Sequence, residues 1–134
     1  MRTRDYRPLR DPLFLAACGV YGIGRFALRA RYPETFVTKH LNDLLCIPIW
    51  VPLMVAGLRA IGMRESSDAP RASEVLLVLI LTALTFEVLL PTVPWFASFT
   101  YADPADVTWY AVGTLASAVW WKVVYGGRRA PSQD

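Results

Sequence analysis

One acidic residue, Glu87, interrupts the most hydrophobic stretch of this chain. Burying an ionised carboxylate in hydrocarbon is costly, so Glu87 must be paired, protonated or in contact with water. Ionisable residues at such positions typically mark binding sites or transport pathways. The chemistry that Glu87 offers is the binding of a cation, a proton or a hydrogen-bond donor. The acidic loop Tyr101–Asp106 follows in the sequence and adds carboxylates nearby.

Two further polar side chains are predicted to lie at nearly the same depth in the membrane as Glu87. With a rise of about 1.5 Å per residue, Glu87 lies roughly 18 Å from the cytoplasmic side of a bilayer core and roughly 12 Å from the outer side. Arg25 reaches about the same level on the first span, and Tyr110 lies slightly above it on the last. We therefore predict a Glu87–Arg25 ion pair with the Tyr110 hydroxyl as a further donor. Such a bridge also fits a purely structural role in fixing helix register.

The last predicted span has a face with polar side chains at one end and small residues at the other. Its residues fall at positions i, i+4, i+7 and i+11: Asp106, Tyr110, Gly113 and Ser117. We predict that Gly113 and Ser117 allow close helix packing, as Gly22 does with Cys18 on the first span. Asp106 also precedes an apolar run, where an aspartate commonly caps a helix.

A second polar group lies at the predicted outer start of the second span. His40 and Asp43 are three residues apart and share a helix face. With Asp103, Asp106 and Glu87 they form an outer-facing group of potential oxygen and nitrogen ligands. The sequence has no HExxH motif and no paired Cys/His spacing. We therefore interpret His40 and Asp43 as a hydrogen-bonded surface pair, and predict neither a metal nor another cofactor.

Composition and charge distribution predict the elements that carry these residues. The chain has 134 residues, of which 54% are hydrophobic, with a mean hydropathy of +0.34. The charged residues are clustered, and the apolar stretches between them match the thickness of a bilayer core. We predict a single all-α integral membrane domain, residues 1–134, a polytopic helical bundle of four transmembrane helices. The predicted spans are residues 12–28, 41–61, 75–96 and 106–125.

The positions of Lys and Arg predict the orientation of this bundle. With both termini in the cytoplasm, ten of the 14 Lys and Arg residues lie inside and four outside. Trp95 and Trp109 flank the last outer loop, while Trp120 and Trp121 lie near the inner end, as in an aromatic belt. The net charge of +3 is explained by the Arg residues of the cytoplasmic segments, which set the orientation in the membrane. We therefore expect no nucleic-acid partner.

The C-terminal third resembles a known family. The resemblance is carried by Phe86-Glu87-Val88-Leu89-Leu90-Pro91, Phe99-Thr100-Tyr101-Ala102-Asp103-Pro104-Ala105-Asp106-Val107 and Tyr110-Ala111-Val112-Gly113. These blocks are similar to those of the VanZ-like family, small multi-span bacterial membrane proteins named for a glycopeptide (teicoplanin) resistance protein. Glu87, Asp106, Tyr110 and Gly113 match the family pattern. The family's Gln after the Glu and its loop Arg are absent, and Tyr110 stands where Asn is usual. The resemblance implies a cell-envelope role.

Three functions fit these observations. The first is a non-enzymatic protein of the inner (plasma) membrane that binds an amphiphilic or glycopeptide-like ligand through the Glu87/Asp106 cluster. The second is a small oligomeric transporter or flippase component, and the third is a structural accessory subunit of a larger membrane complex. Membrane lipids are the expected partners, with a homo-oligomer or larger complex as alternatives. We expect no enzyme, because His40 has no evident nucleophile partner and no phosphate loop or dinucleotide motif is present.

Overall fold

The computed structural model describes residues 5–33, 35–97 and 103–126, which are helical or connecting, without a strand among them. The four long helices are α1 (Pro12–Arg31), α2 (Phe36–Ala60), α3 (Ala72–Thr92) and α4 (Pro104–Tyr125). The prediction of an all-helical chain is confirmed. Helices α1, α2 and α3 are long and apolar enough to cross a membrane. Tyr101 and the tail arginines Arg128 and Arg129 lie outside the described residues.

The helix starts differ from the predicted ones in a way that affects the site. Helix α2 begins five residues early because Thr35 caps it, accepting a hydrogen bond from the Thr38 amide at 3.3 Å. Helix α4 is capped by Asp103, whose Oδ1 accepts from the Ala105 amide at 2.9 Å. The prediction that Asp106 is the cap is therefore wrong. Asp106 lies within the first turn of α4, so the second half of the predicted loop is helical.

Two of the helices widen locally to π-helical geometry. The segments are Gly24–Leu28 in α1 and Leu84–Leu89 in α3. The second ends just before Pro91, which has no amide hydrogen to donate to the carbonyl one turn back. Arg25 lies in the first of these segments and Glu87 in the second. Such π-bulges are frequently found at functional sites.

Helix α2 is the central element and packs most extensively on α4. The two backbones meet at Gly113, where an added Cβ would overlap the carbonyl oxygen of Leu44. Ser117 is buried one turn later, and its hydroxyl donates to the Gly113 carbonyl at 2.7 Å. By contrast, a Cβ at Gly22 would meet no atom within 4 Å. The close approach of α1 lies instead at Gly24, against the Leu41 side chain.

A buried arginine organises the connection between α2 and α3. The Arg64 guanidinium donates to the Glu74 carboxylate, with 2.6 Å between Nε and Oε1. It also donates to main-chain carbonyls at Ser66, Asp68 and Ala69. This polar stretch, which was predicted as a loop, is thus folded around one buried cation. Such a charge requires several acceptors in order to be stable away from water.

The N-terminal segment is attached to the C-terminal end of α4 through Asp11. Asp11 directly precedes α1, but its side chain makes no capping bond. Its fully buried carboxylate accepts hydrogen bonds from Trp120 Nε1 (3.1 Å), Trp121 Nε1 (2.9 Å) and the Tyr125 hydroxyl (2.9 Å). The interpretation of the two tryptophans as membrane anchors is therefore incomplete, since both bind a protein carboxylate.

The helix faces that point away from the interior of the bundle are apolar. Several large side chains are strongly exposed and contact no core: Phe26, Leu89, Leu115 and Val123. A soluble monomer rarely leaves so much contiguous apolar surface in water. A lipid environment removes this penalty, in agreement with the three helices that can cross a membrane.

Candidate functional site

A cavity of about 590 Å³ lies among the four helices at the end of the bundle away from Asp11. Its lining combines carboxylates with aromatic and sulfur-containing side chains, contributed by all four helices: Cys18 and Tyr21 from α1; Asn42, Asp43, Cys46, Ile49 and Trp50 from α2; Phe86 and Glu87 from α3; Asp106 and Tyr110 from α4. Four of the predicted site residues are thereby brought together: Glu87, Asp106, Tyr110 and Asp43.

Glu87 is bound by the main chain of the next helix and not by Arg25. Its Oε2 accepts a hydrogen bond from the Asp103 amide at 2.8 Å. Within residues 5–33, 35–97 and 103–126, Arg25 forms no ion pair with it, and the arginine side chain is exposed. The predicted Glu87–Arg25 pair is therefore wrong. Rise per residue gives depth, whereas the direction of a side chain around the helix axis decides contact.

The His40 imidazole lies between two carboxylates. Its Nδ1 is 3.3 Å from Asp106 Oδ1 and 3.9 Å from Asp43 Oδ2. Ligand atoms from all three side chains lie within 4.8 Å of one another. Asp43 comes from the second turn of α2 and Asp106 from the first turn of α4, so the close α2–α4 packing at Gly113 positions the group.

His40 is not the hydrogen-bonded surface residue that the sequence suggested. It is only 8% exposed, and its Nδ1 atom makes no hydrogen bond. Phe36 packs against the ring at a centroid distance of 4.7 Å, and Trp109 stacks on it at 5.6 Å. These aromatic neighbours exclude water and hold the imidazole in a fixed orientation.

Asp103 stands apart from the cavity. Its carboxylate caps α4 through Oδ1, and its Oδ2 lies 3.7 Å from Lys39 Nζ in a partly exposed ion pair. Such pairs contribute little to stability. The contribution of Asp103 to the site is made by its amide, which orients Glu87. This residue was predicted as a member of the polar cluster, and the structure assigns its side chain a capping position.

The three cavity carboxylates, Glu87, Asp43 and Asp106, have no Lys or Arg partner in the described part of the chain, whereas the His40 imidazole lies beside two of them. The Tyr110 hydroxyl interacts with both Asp43 and Glu87. In their ionised form these carboxylates make the electrostatic potential at this end of the cavity negative, which favours a positively charged occupant.

Sequence reasoning missed the apolar part of the lining. Asp43, Cys46 and Trp50 lie at i, i+3 and i+7 on α2 and therefore share a face. Because Asp43 is at the polar end of this face, its helical periodicity identifies Cys46 and Trp50 as further cavity-lining residues. Cys18 and Cys46 are free thiols that line the cavity.

Comparisons with known proteins do not assign this chain to a family. No family model, curated protein or solved structure matches it significantly. The cavity has three carboxylates and the Tyr110 phenol at its polar end, with an aromatic wall below. This arrangement suits binding of a molecule that has a polar or charged end and an apolar body.

Proposed function

We propose that this chain is a non-enzymatic integral membrane protein that binds an amphiphilic ligand in the cavity among its four helices. The observation that carries the proposal is the cavity itself, with Glu87, Asp43 and Asp106 at one end and Trp50 and Phe86 along its wall. The polar group of the ligand meets the carboxylates, and its apolar part lies against the aromatic wall. A closed, dry bundle at Glu87 would have favoured a purely structural role.

The charge of the cavity favours a cationic head group. Three carboxylates without a facing Lys or Arg among the described residues present a strongly acidic surface. Ionised carboxylates in a low-dielectric site are stabilised by an opposite charge with good hydrogen-bond geometry. A protonated amine supplies both. Amphiphilic amines, including glycopeptide-like molecules that carry amino groups, are therefore the favoured ligand class.

The position of the cavity favours entry from the bilayer. Helices α1 and α3 both contribute lining residues, yet within the described part of the chain they do not pack closely on each other. Cys18 and Tyr21 on α1 are exposed and face this gap. An amphiphile already dissolved in the membrane can enter laterally, with its head group at the level of Glu87 and its tail among lipid chains.

The proposed topology has four spans with both termini in the cytoplasm. Helix α4 has 22 residues, which corresponds to about 33 Å and matches a bilayer core. The N-terminal segment, the α2–α3 connection and the end of α4 are joined by hydrogen bonds, since Tyr6 bonds Ser67 and Asp11 bonds Trp121. If the chain crosses the membrane four times, these three segments all lie on the same side of it, as the hydrogen bonds between them require. The excess of Lys and Arg favours the cytoplasmic side for this end.

The resemblance to the VanZ-like family supports the same location. Glu87 and Asp106, on which the resemblance depends, both line the cavity, and Gly113 lies at the α2–α4 contact behind it. We therefore propose a protein of the bacterial cell envelope, in the inner membrane.

Ligand binding can be measured with a dansyl-labelled long-chain alkylamine and the purified protein in detergent or nanodiscs. Trp50 lies in the wall, so energy transfer from tryptophan to dansyl reports occupancy. We expect Glu87→Gln to weaken binding at least about tenfold, equivalent to about 1.4 kcal/mol, because the head group loses its charged partner. Glu65→Gln, in the exposed α2–α3 connection, is the matched control and should bind normally.

A dansyl-labelled fatty acid of equal chain length tests the role of charge in the same assay. We expect it to bind more weakly than the amine. Equal binding of the two probes, with no effect of Glu87→Gln, would contradict the proposed function. Reduced folding yield of Glu87→Gln, without a change in the affinity of the folded fraction, would instead support a structural accessory role.

The topology is tested with single cysteines in a Cys18→Ala/Cys46→Ala background. Lys39→Cys and Ser67→Cys introduce exposed thiols at opposite ends of α2. We expect a membrane-impermeant maleimide to label Lys39→Cys in intact cells, and Ser67→Cys only after the membrane is permeabilised. Labelling of both from outside would contradict a span at α2, and the reverse pattern would invert the orientation.

A further inference from the structure

We infer that His40, Asp43 and Asp106 form a binding site for a divalent transition-metal ion such as Zn²⁺. The inference does not depend on amphiphile binding, because it concerns α2 and α4 side chains whose ligand atoms converge within 4.8 Å of one another. Imidazole and carboxylate are common ligands of Zn²⁺. The sequence alone favours no metal at these residues, and the burial of His40 changes that interpretation.

The unsatisfied nitrogen of His40 is the observation that distinguishes this group from an ordinary acidic cluster. His40 is 8% exposed, and its buried Nδ1 has no hydrogen-bond partner although two carboxylates lie nearby. Buried polar atoms without a partner are rare and call for an explanation such as a bound ion. A metal ion would complete the bonding of Nδ1 in the neutral imidazole, with the ring proton on Nε2.

The separations between the atoms fit coordination better than hydrogen bonding. Bonds of about 2.0–2.2 Å at a tetrahedral angle place two ligand atoms about 3.3–3.6 Å apart. The distance from His40 Nδ1 to Asp106 Oδ1 is 3.3 Å, and to Asp43 Oδ2 it is 3.9 Å. The second distance exceeds the expected range by a few tenths of an ångström, which a small rotation of the Asp43 carboxylate removes.

Electrostatics favours a dication at this position. Asp43 and Asp106 lie together in a membrane-embedded site, and among the described residues no Lys or Arg forms an ion pair with either. A bound dication would neutralise the two carboxylates and leave Glu87 for a ligand head group. Because Asp43 and Asp106 also line the cavity, the ion would have an open coordination position there, as catalytic and ligand-binding zinc sites do.

The surroundings of His40 are those of a preorganised metal ligand. Phe36 and Trp109 pack on its ring from two directions, so the imidazole cannot turn freely away from the carboxylates. Helices hold all three residues, and the contact at Gly113 fixes α2 against α4. A site that is built before the ion arrives loses little conformational entropy on binding.

The inference is tested with tag-free protein that has been treated with a chelator, by titrating ZnCl₂ in a calorimeter and Co²⁺ in a spectrophotometer. We expect one Zn²⁺ per chain, visible ligand-field absorption from Co²⁺, and retention of Zn²⁺ in excess Mg²⁺, because imidazole favours the softer ion. Asp43→Asn and Asp106→Asn should each weaken Zn²⁺ binding at least about tenfold, the loss seen even for outer-shell changes at metal sites.

Asp103→Asn is the matched control, since its carboxylate lies near the site but outside the triad. It should bind Zn²⁺ as the unsubstituted chain does. A charged His40 in a simple ion pair with Asp106 predicts no stoichiometric Zn²⁺ binding, and that result would overturn the inference. Equal binding by all three variants would also overturn it, by placing the ion elsewhere.

The dansyl-amine assay separates failure of this inference from failure of the proposed function. Amine binding that depends on Glu87, without any Zn²⁺ binding, would remove the metal site and keep the binding protein. Unfolding in mixed detergent micelles, followed by tryptophan fluorescence, shows whether Asp43→Asn and Asp106→Asn are folded. Loss of Zn²⁺ binding from a variant that unfolds as the unsubstituted chain does therefore supports the metal site directly.

Discussion

Asp11→Ala should destabilise the folded protein by about 3 kcal/mol or more, because it removes the acceptor of one buried and two partly buried donors. The Asp11 carboxylate is fully buried and accepts from two indole N–H groups and one phenol. Each unsatisfied buried donor costs about 1–3 kcal/mol. The carboxylate also joins residues 109 to 114 positions apart in the sequence, so its loss detaches the N-terminal segment from the end of α4.

Asp11→Asn should cost less than Asp11→Ala. One carboxylate oxygen accepts hydrogen bonds from Trp120 and Tyr125, and the other accepts one from Trp121. An amide keeps one acceptor oxygen but places an NH₂ group where the second oxygen was. We therefore expect the intermediate loss of about 1–2 kcal/mol that accompanies one broken buried hydrogen bond.

Unfolding in mixed detergent micelles, followed by tryptophan fluorescence, measures both changes. Asp5→Ala is the matched control, since Asp5 is an exposed carboxylate on the same segment. A double-mutant cycle with Trp121→Phe isolates the indole bond, and we expect the two substitutions to be non-additive. Additive effects, or a loss for Asp11→Ala no larger than for Asp5→Ala, would contradict the assigned role.

Tyr6 reports on the same region by titration. It packs edge-on against Trp121 and Tyr125. Burial, with a smaller contribution from the Asp11 carboxylate, raises the pKa of the Tyr6 phenol above its ordinary value. A spectrophotometric titration of the native protein should therefore leave Tyr6 protonated at a pH where exposed tyrosines have ionised.

The helices were predictable from the sequence because apolar runs bounded by charged residues located all four. The largest error was the start of α2 at Phe36, where Thr35 supplies a cap. The face of α4 was also predictable, since helical periodicity places Tyr110, Gly113 and Ser117 on one side. All three are buried against the rest of the bundle.

The partners of the charged residues were not predictable, because they depend on rotation about the helix axis and on distant segments. Arg25 and Glu87 were correctly placed in helices, yet both lie in π-helical segments. An extra residue in a turn rotates the side chains around it, and simple depth arithmetic ignores this. Asp11 finds donors more than 100 residues away, and nothing in its local sequence signals them.

Gly113→Ala should destabilise the α2–α4 contact and weaken ligand and metal binding together, although it removes no atom from the site. The added methyl group would overlap the Leu44 carbonyl oxygen, so the two helices must separate. Overpacking of this kind typically costs about 1–3 kcal/mol. Asp106 and Tyr110 lie on the same helix within two turns of Gly113, and any shift of α4 moves them away from His40 and Asp43.

Two other glycines provide matched controls in the same unfolding and binding assays. Gly57→Ala meets no atom within 4 Å, and as a helix-interior change it should stabilise by up to about 1 kcal/mol. Gly24→Ala meets only the end of the Leu41 side chain, so Leu41→Ala should relieve it. At Gly113 the obstacle is main chain, and Leu44→Ala cannot relieve it. Rescue of Gly113→Ala by Leu44→Ala would show that side-chain packing, and not backbone contact, positions α4.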